Sequence, residues 1–184
     1  MDRLGTESAF AILAEAKKLE AQGKKMIHLS LGQPDFKSPQ HVVDAAKKAI
    51  DDGHHGYVLA NGTLECRQAV TRKIKKLYKK DVSPERVMIM PGGKPTMFFA
   101  ISMIGEPGAE IIYPTPGFPI YESMINYSGA KAIPYDLTKD KDLKFDPEKI
   151  LSLINKKTRM LVIINPNNPT GSFVERSAID YLAE

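Results

Sequence analysis

Seven segments of the chain are predicted to be helices, from the spacing of their apolar residues and from the residues at their ends. The first can be capped by Ser8 and stopped by Gly23, a residue that adopts the left-handed conformation common after helices. Ser38 and Pro39 open the second helix, and Gly53 ends it. In chain order, the predicted helices lie at 8–22, 39–52, 63–78, 96–103, 119–127, from 146 onward, and 175–184.

Short apolar runs between these helices are predicted to be strands, because turn residues bound them. The run Val87–Met90 is continuously apolar, which is typical of a strand covered on both faces. The predicted strands lie at 26–31, 87–90, 110–113, 132–135 and 160–164. Since strands and helices alternate, the sequence predicts right-handed crossovers, a mainly parallel sheet and hence an α/β protein.

Composition narrows the function classes without selecting one. The 184 residues are 42% hydrophobic and 26% charged, which is ordinary for a globular chain. The single cysteine, Cys66, excludes an internal disulfide framework and a multi-cysteine metal cluster, so we expect a reducing, cytoplasmic location. No apolar run reaches the length of a membrane span, and the N-terminus lacks a signal-peptide pattern. A net charge of +4 is modest, so we predict no nucleic-acid partner, and the lack of a span-length apolar run predicts no membrane association. The four histidines have no supporting ligands beside them in the sequence, so no metal site is predicted.

Candidate chemistry follows the predicted strands, where ligands bind in open α/β sheets. Gly92, Gly93 and Lys94 lie between the strand that ends at Met90 and a helix. The backbone N–H groups of such a turn can converge on an anion at the helix N-terminus, and a phosphate group suits it. A glycine-rich turn that only connects two elements is the alternative. A Walker P-loop is excluded because Pro95 follows the lysine and its first glycine is absent.

Two further loops follow predicted strands. In Tyr113–Tyr121, three prolines make rigid a loop that presents aromatic rings, among them Phe118, to a planar ligand. Packing of these rings into the core is the alternative. In Asn165–Gly171, prolines exclude regular structure while asparagine amides stay available to a ligand oxygen, and a purely structural turn is the alternative.

These motifs occur in the order seen in class I and II aminotransferases. The chain resembles the aspartate aminotransferase branch of the fold-type-I pyridoxal-phosphate enzymes over essentially its whole length. The segments that carry the resemblance are Leu31–Phe36, Tyr57 with Gly62 and Glu65–Arg67, Gly92–Lys94, Tyr113–Tyr121 and Asn168–Gly171. One departure is Cys66, where the family usually has leucine; a small apolar thiol can pack there.

The resemblance implies roles for individual residues toward pyridoxal 5′-phosphate (PLP). Gly92–Lys94 would bind its phosphate, Phe118 would stack on its pyridine ring, and Asn168 would donate a hydrogen bond to its phenolic oxygen. The backbone of Gly32 would approach the substrate carboxylate. Tyr57 would reach across a dimer interface to the cofactor phosphate of the neighbouring subunit. A fold-type-I large domain, with helices on both faces of its sheet, is therefore expected.

The resemblance also implies that parts of the family's site lie elsewhere. We expect residues 1–40 to form an N-terminal arm and small-domain segment, and residues 41–184 part of the PLP-binding large domain. The rest of the large domain and the C-terminal small domain would be absent. The Schiff-base lysine follows the asparagine loop by tens of residues in the family, so no catalytic residue is predicted here. Ser128–Lys131 is not a candidate, because it precedes that loop.

The predicted function is that of the N-terminal part of a PLP-dependent aminotransferase, which transfers an amino group between an amino acid and a 2-oxo acid. We expect the isolated chain to be inactive, to bind PLP weakly or not at all, and to form a homo-oligomer. One alternative is a noncatalytic cofactor-binding or interaction domain. Another is a fragment of a related PLP β-lyase or cyclopropane-carboxylate synthase, since one fold supports several reactions.

Overall fold

A computed structural model describes residues 8–139 and 143–184. The chain divides into two compact units. The helical unit is Ile12–Gly92, and the sheet unit comprises Gly93–Glu184 with the described residues before Ile12. The helices are α1 Ser8–Ala21, α2 Gln40–Asp51, α3 Leu64–Tyr78, α4 Gly93–Ile104, α5 Ile120–Ser128, α6 Pro147–Leu153 and α7 Arg176–Ala183, and the strands are β1 Glu110–Thr115, β2 Lys131–Asp136 and β3 Thr158–Leu161.

The three strands form a parallel sheet in the order β2-β1-β3. At its centre, Ile112 of β1 pairs with Ile133 of β2 on one side and Leu161 of β3 on the other. A register irregularity between Glu110 and Ile111 interrupts the pairing with β3. Since helices connect these parallel strands, the predicted α/β fold is confirmed.

Successive residues of β1 enter different cores, which shows that both faces of the sheet are covered. Ile111 and Tyr113 pack with Ile101 of α4 and Ile125 of α5. Ile112 faces the second core, which contains Ile150 of α6 and the half-buried side chain of Leu182 of α7. Because a segment buried on both faces needs apolar residues at every position, the central part of β1, Ile111–Pro114, is continuously apolar. The expectation of helices on both faces is confirmed.

Local residues set the ends of the sheet-unit helices. The side chain of Asp146 caps α6 by accepting a hydrogen bond from the backbone N–H of Lys149, at 3.2 Å. Gly129 ends α5 in the left-handed conformation, with φ of 92°. The start of α4 is Gly93, three residues before the predicted start near Thr96. A proline at the third helical position is tolerated because first-turn N–H groups have no partner within the helix.

The helical unit is held at its centre by the buried side chain of Arg67 in α3. Its guanidinium donates to the carbonyl oxygens of Gly62, at 3.3 Å, and Pro84, at 3.0 Å, and it pairs with the Glu85 carboxylate at 3.2 Å. These bonds tie the turns on either side of α3 to the helix. The predicted N-terminus of α3 is also confirmed, since Thr63 caps it.

Two predicted strands, at 26–31 and 87–90, are not formed, and the prediction of a strand covered on both faces was wrong for 87–90. Neither segment pairs with a strand within the described residues. Met88 is 64% exposed, and Leu29 is 89% exposed. The N–H of Ile89 donates to the carbonyl oxygen of Asn61, in a loop. An apolar run becomes a strand only where a neighbouring strand accepts its backbone hydrogen bonds, and these segments lack that neighbour.

None of the described helices is long and apolar enough to cross a membrane. The predicted boundary at residue 40 concerns the domains of a longer protein, and it stays a prediction.

Candidate functional site

The candidate site lies at the carboxyl edge of the sheet. Two loops start there: residues 116–119 after β1, which we call the β1 loop, and residues 162–175 after β3, which we call the β3 loop. Because β1 and β3 are parallel neighbours, both loops leave the same edge.

The first turn of α4 contacts the β1 loop. The Nζ atom of Lys94 lies 5.9 Å from the ring centroid of Phe118 and 5.2 Å from that of Phe10 in α1. Phe118 is half-buried, whereas Tyr121 packs against the core, so the alternative of core packing holds for Tyr121. The contact with Phe10 was not anticipated, because no motif connects residues so distant in the sequence.

The need for glycine differs among three positions in and near this turn. Gly92 has φ of 102°, a conformation that other residues rarely adopt. Gly93 opens α4, and a Cβ there would make only an ordinary contact, 3.7 Å from Cε of Met97. In the β1 loop, a Cβ at Gly117 would overlap the carbonyl oxygen of Pro114. The tight turn that presents Phe118 therefore requires glycine at position 117.

The β3 loop is fastened to the β1 loop through Asn167. Its side-chain Nδ2 donates to the carbonyl oxygen of Pro116, at 3.3 Å, and to Oγ1 of Thr170, at 2.8 Å. Backbone hydrogen bonds from Asn167 N–H to the Ser172 oxygen and from Gly171 N–H to the Asn167 oxygen close the loop. Sequence reasoning missed this role, and the only available signal was the position of Asn167 beside Asn168.

Three asparagines of the β3 loop have different environments. Asn167 is buried, and Asn165 is exposed but bonded through its side chain to both backbone groups of Val174. Asn168 is exposed, and its side chain makes no hydrogen bond within the described residues. The alternative of a structural turn therefore fits Asn165, while the amide of Asn168 is accessible to a ligand.

The remaining predicted residues, Gly32 and Tyr57, belong to the helical unit. Both are exposed, and a Cβ at Gly32 would meet no atom within 4 Å. Their predicted roles toward substrate and cofactor stay predictions.

The surroundings of Tyr113, in the strand that leads into the β1 loop, favour the neutral form of its phenol. Burial raises the pKa of Tyr113 to about 12, and the negative charge of Glu122 and the hydrogen bond between the two side chains add to the shift. Near the β1 loop, the Lys94 ammonium, 5.9 Å from the Phe118 ring centroid, and the N-terminus of α4 supply positive potential. This edge of the sheet can therefore bind a planar, anionic molecule.

Among the described side chains, no three His, Cys, Asp or Glu residues are grouped to hold a metal ion.

Comparison with known proteins identifies the family. Residues 24–184 match the family model described as aminotransferase class I and II. The (5-formylfuran-3-yl)methyl phosphate transaminase of Methanocaldococcus jannaschii is 35% identical over 94% of this chain and 45% of its own length. The aspartate aminotransferase of Bacillus subtilis is 30% identical over 98% of this chain and 46% of its own length.

Solved structures agree with the sequence relatives. The aspartate aminotransferase from Thermus thermophilus with maleate superposes with a TM-score of 0.93 at 30% identity, covering 100% of this chain and 49% of that one. The alanine aminotransferase from Pyrococcus furiosus superposes with a TM-score of 0.89 at 29% identity, covering 96% of this chain and 46% of that one. The chain spans about half the length of the curated relatives it matches. On the family match and these relatives, the chain belongs to the class I and II aminotransferases.

Proposed function

We propose that this chain carries part of the PLP site of an aminotransferase that transfers an amino group between an amino acid and a 2-oxo acid. The observation that supports it is the meeting of three segments at one sheet edge: the start of α4, the β1 loop and the β3 loop. The names of the relatives are those of aminotransferases. The resemblance to that family implies PLP as the cofactor.

The residues present fit the phosphate end of PLP. A dianionic phosphate is favoured at a helix N-terminus, where first-turn N–H groups point outward and the helix dipole is positive. Gly93 begins α4 exposed to solvent and Lys94 adds a positive charge, whereas the Gly92 N–H is already donated to the Met90 carbonyl oxygen at 2.8 Å. We therefore assign the phosphate to this turn.

The residues present also fit the ring end. The half-buried ring of Phe118 offers a face for stacking on a pyridine ring, and the exposed amide of Asn168 can donate to a phenolic oxygen. When bound, PLP supplies an electron sink for the bonds at the amino acid α-carbon. Phe118 and Asn168 would keep that ring fixed in plane and orientation.

Two exposed residues of the helical unit, Tyr57 and Gly32, are also part of the proposed site. Tyr57 is fully exposed, at 110% of its reference area, which suits a side chain that reaches a neighbouring subunit. Gly32 is open enough for a substrate carboxylate to approach its backbone. We therefore include three further points in the proposal: the protein forms a dimer, it is located in the cytoplasm, and the Gly32 backbone contacts the substrate carboxylate.

Ligand binding to the chain tests the proposal. The probe is 4′-deoxypyridoxine 5′-phosphate, which keeps the phosphate, ring and phenol but has no aldehyde to react with lysines. Because stacking and a hydrogen bond each contribute about 1 kcal/mol, we expect Phe118→Leu and Asn168→Ala each to weaken binding about fivefold in equilibrium dialysis. Phe99→Leu is the matched control, since Phe99 is an exposed ring of α4. Since weak binding is expected of the isolated chain, the probe is titrated to high concentration. Equal affinity in the wild type and both site variants, or no measurable binding by the wild type, would contradict the proposal.

The second prediction is that none of the lysines in these 184 residues is the Schiff-base lysine of the proposed site. The lysine of Ser128–Lys131 begins β2, at the edge of the sheet opposite to the loops, and its Nζ lies 3.8 Å from the Glu110 carboxylate. After incubation with PLP and reduction with borohydride, peptide mapping should find only scattered, substoichiometric adducts, because proton transfer and imine formation need a lysine within reach. A stoichiometric adduct at one lysine, lost when that lysine is replaced, would show the assignment to be wrong.

A further inference from the structure

We propose that Asn167 is a positioning residue of the cofactor site. Its side-chain amide ties the β3 loop to the β1 loop and thereby sets the separation between Asn168 and Phe118. The inference rests on the proposed function, because those two residues are assigned there to the PLP ring. It adds a residue to which neither the sequence motifs nor the family resemblance gave a role.

The contacts of Asn167 span two loops that are distant in the chain. The Nδ2 group has two hydrogens; one is donated to the Pro116 carbonyl oxygen, 51 residues away in sequence, and the other to Oγ1 of Thr170 in its own loop. Pro116 is two residues before Phe118, and Asn168 directly follows Asn167. The hydrogen bond between the loops therefore lies close to both side chains whose spacing it sets.

The orientation of this amide is fixed by its surroundings. If it were reversed, Oδ1 would face the carbonyl oxygen of Pro116, and two acceptors would repel each other. In the orientation present, Oδ1 is buried and has no hydrogen-bond partner within the described residues. A buried acceptor without a partner is unfavourable, so an apolar side chain would fill this space better. The donor half of the amide is therefore the reason for asparagine at position 167.

Asn165 provides a matched control in the same loop. Its side chain donates to the Val174 carbonyl oxygen at 3.2 Å and accepts from the Val174 N–H at 3.1 Å. These bonds hold the shape of the β3 loop but do not reach the β1 loop. Replacing Asn165 removes a comparable pair of hydrogen bonds and leaves the contact between the loops in place.

Hydrogen–deuterium exchange of the 184-residue chain tests the tie between the loops. Asn167→Asp keeps the shape of the side chain but places a carboxylate, which has no donor, against the Pro116 carbonyl oxygen; Asn167→Ala repeats the test without a charge. We expect both variants to exchange faster than the wild type in peptides covering 114–121 and 165–174. Asn165→Ala should exchange faster only in 165–174. Unchanged exchange of 114–121 in both Asn167 variants overturns the inference.

Binding of 4′-deoxypyridoxine 5′-phosphate tests the link to the site. We expect Asn167→Ala, which adds no charge near the anionic probe, to weaken binding about fivefold, and to add less than about a twofold loss in a Phe118→Leu background, because it acts through the position of the Phe118 ring. A full fivefold loss in both backgrounds overturns the positioning role and leaves the proposed function standing. If Phe118→Leu and Asn168→Ala do not weaken binding, the proposed function fails, and with it the cofactor part of this inference.

Discussion

At the residue scale, burial of the Tyr113 phenol makes the stability of the folded chain depend on pH. Tyr113 is buried at the end of β1, and its pKa is raised to about 12 by burial first and by Glu122 second. The unfolded chain ionises this phenol near its ordinary pKa of 10.0, whereas the folded chain keeps it neutral. Stability from the neutral phenol is therefore fully present below about pH 10 and is lost as pH rises toward about 12.

We predict that Tyr113→Phe removes part of this loss. Urea unfolding of the wild type should show a lower free energy of unfolding at about pH 11 than at about pH 9, and the difference should be smaller in the variant. Tyr127→Phe is the control, because Tyr127 is an exposed tyrosine. If the free energy of unfolding fell by the same amount between these pH values in the wild type and in Tyr113→Phe, Tyr113 would not be a source of the pH dependence.

The sequence groups three asparagines in one motif but does not distinguish their environments. Asn165, Asn167 and Asn168 look equivalent in the motif, yet one is bonded within its loop, one is buried and one is accessible. The difference depends on a contact with Pro116, which is distant along the chain. Local pattern therefore predicts a candidate loop, while long-range packing decides which of its side chains is buried and which is exposed.

At the element scale, helices were predicted better than strands because their hydrogen bonds are local. The end residues Thr63, Asp146 and Gly129 act on groups a few positions away, so a helix end can be inferred from nearby sequence. A strand needs a partner that the local sequence does not contain. The segments 111–114 and 87–90 are both apolar, but within the described residues only the first has neighbouring strands.

The cap of α6 gives a prediction at this scale. Because Asp146 accepts from the Lys149 N–H and α6 carries the fully buried Ile150, we expect Asp146→Ala to lower the free energy of unfolding by about 1 kcal/mol. Asp146→Asn keeps a side-chain acceptor and should lose much less. Urea denaturation of both variants measures the effect. Equal stability of Asp146→Ala and the wild type would show that this cap does not stabilise the helix.

At the scale of the whole molecule, the two units differ in how their apolar residues are used. Both hydrophobic cores belong to the sheet unit and cover β1 from two sides. Both units expose some large apolar side chains, but the helical unit has three in one short segment, with Ile27 at 80%, Leu29 at 89% and Phe36 at 77% exposed. Single exposed apolar residues are ordinary, but several within one short segment favour contact with another surface.

We therefore predict that the chain self-associates in solution. Light scattering over a range of protein concentrations should give an average mass that rises above that of one chain. Because burial of apolar surface would drive the association, replacing both Ile27 and Leu29 by Ser should shift the mass toward the monomer. Tyr78→Gln is the control, since Tyr78 is an exposed ring at the end of α3, outside the segment 27–36. A monodisperse monomer at every concentration would show that these exposed side chains do not hold copies of the chain together.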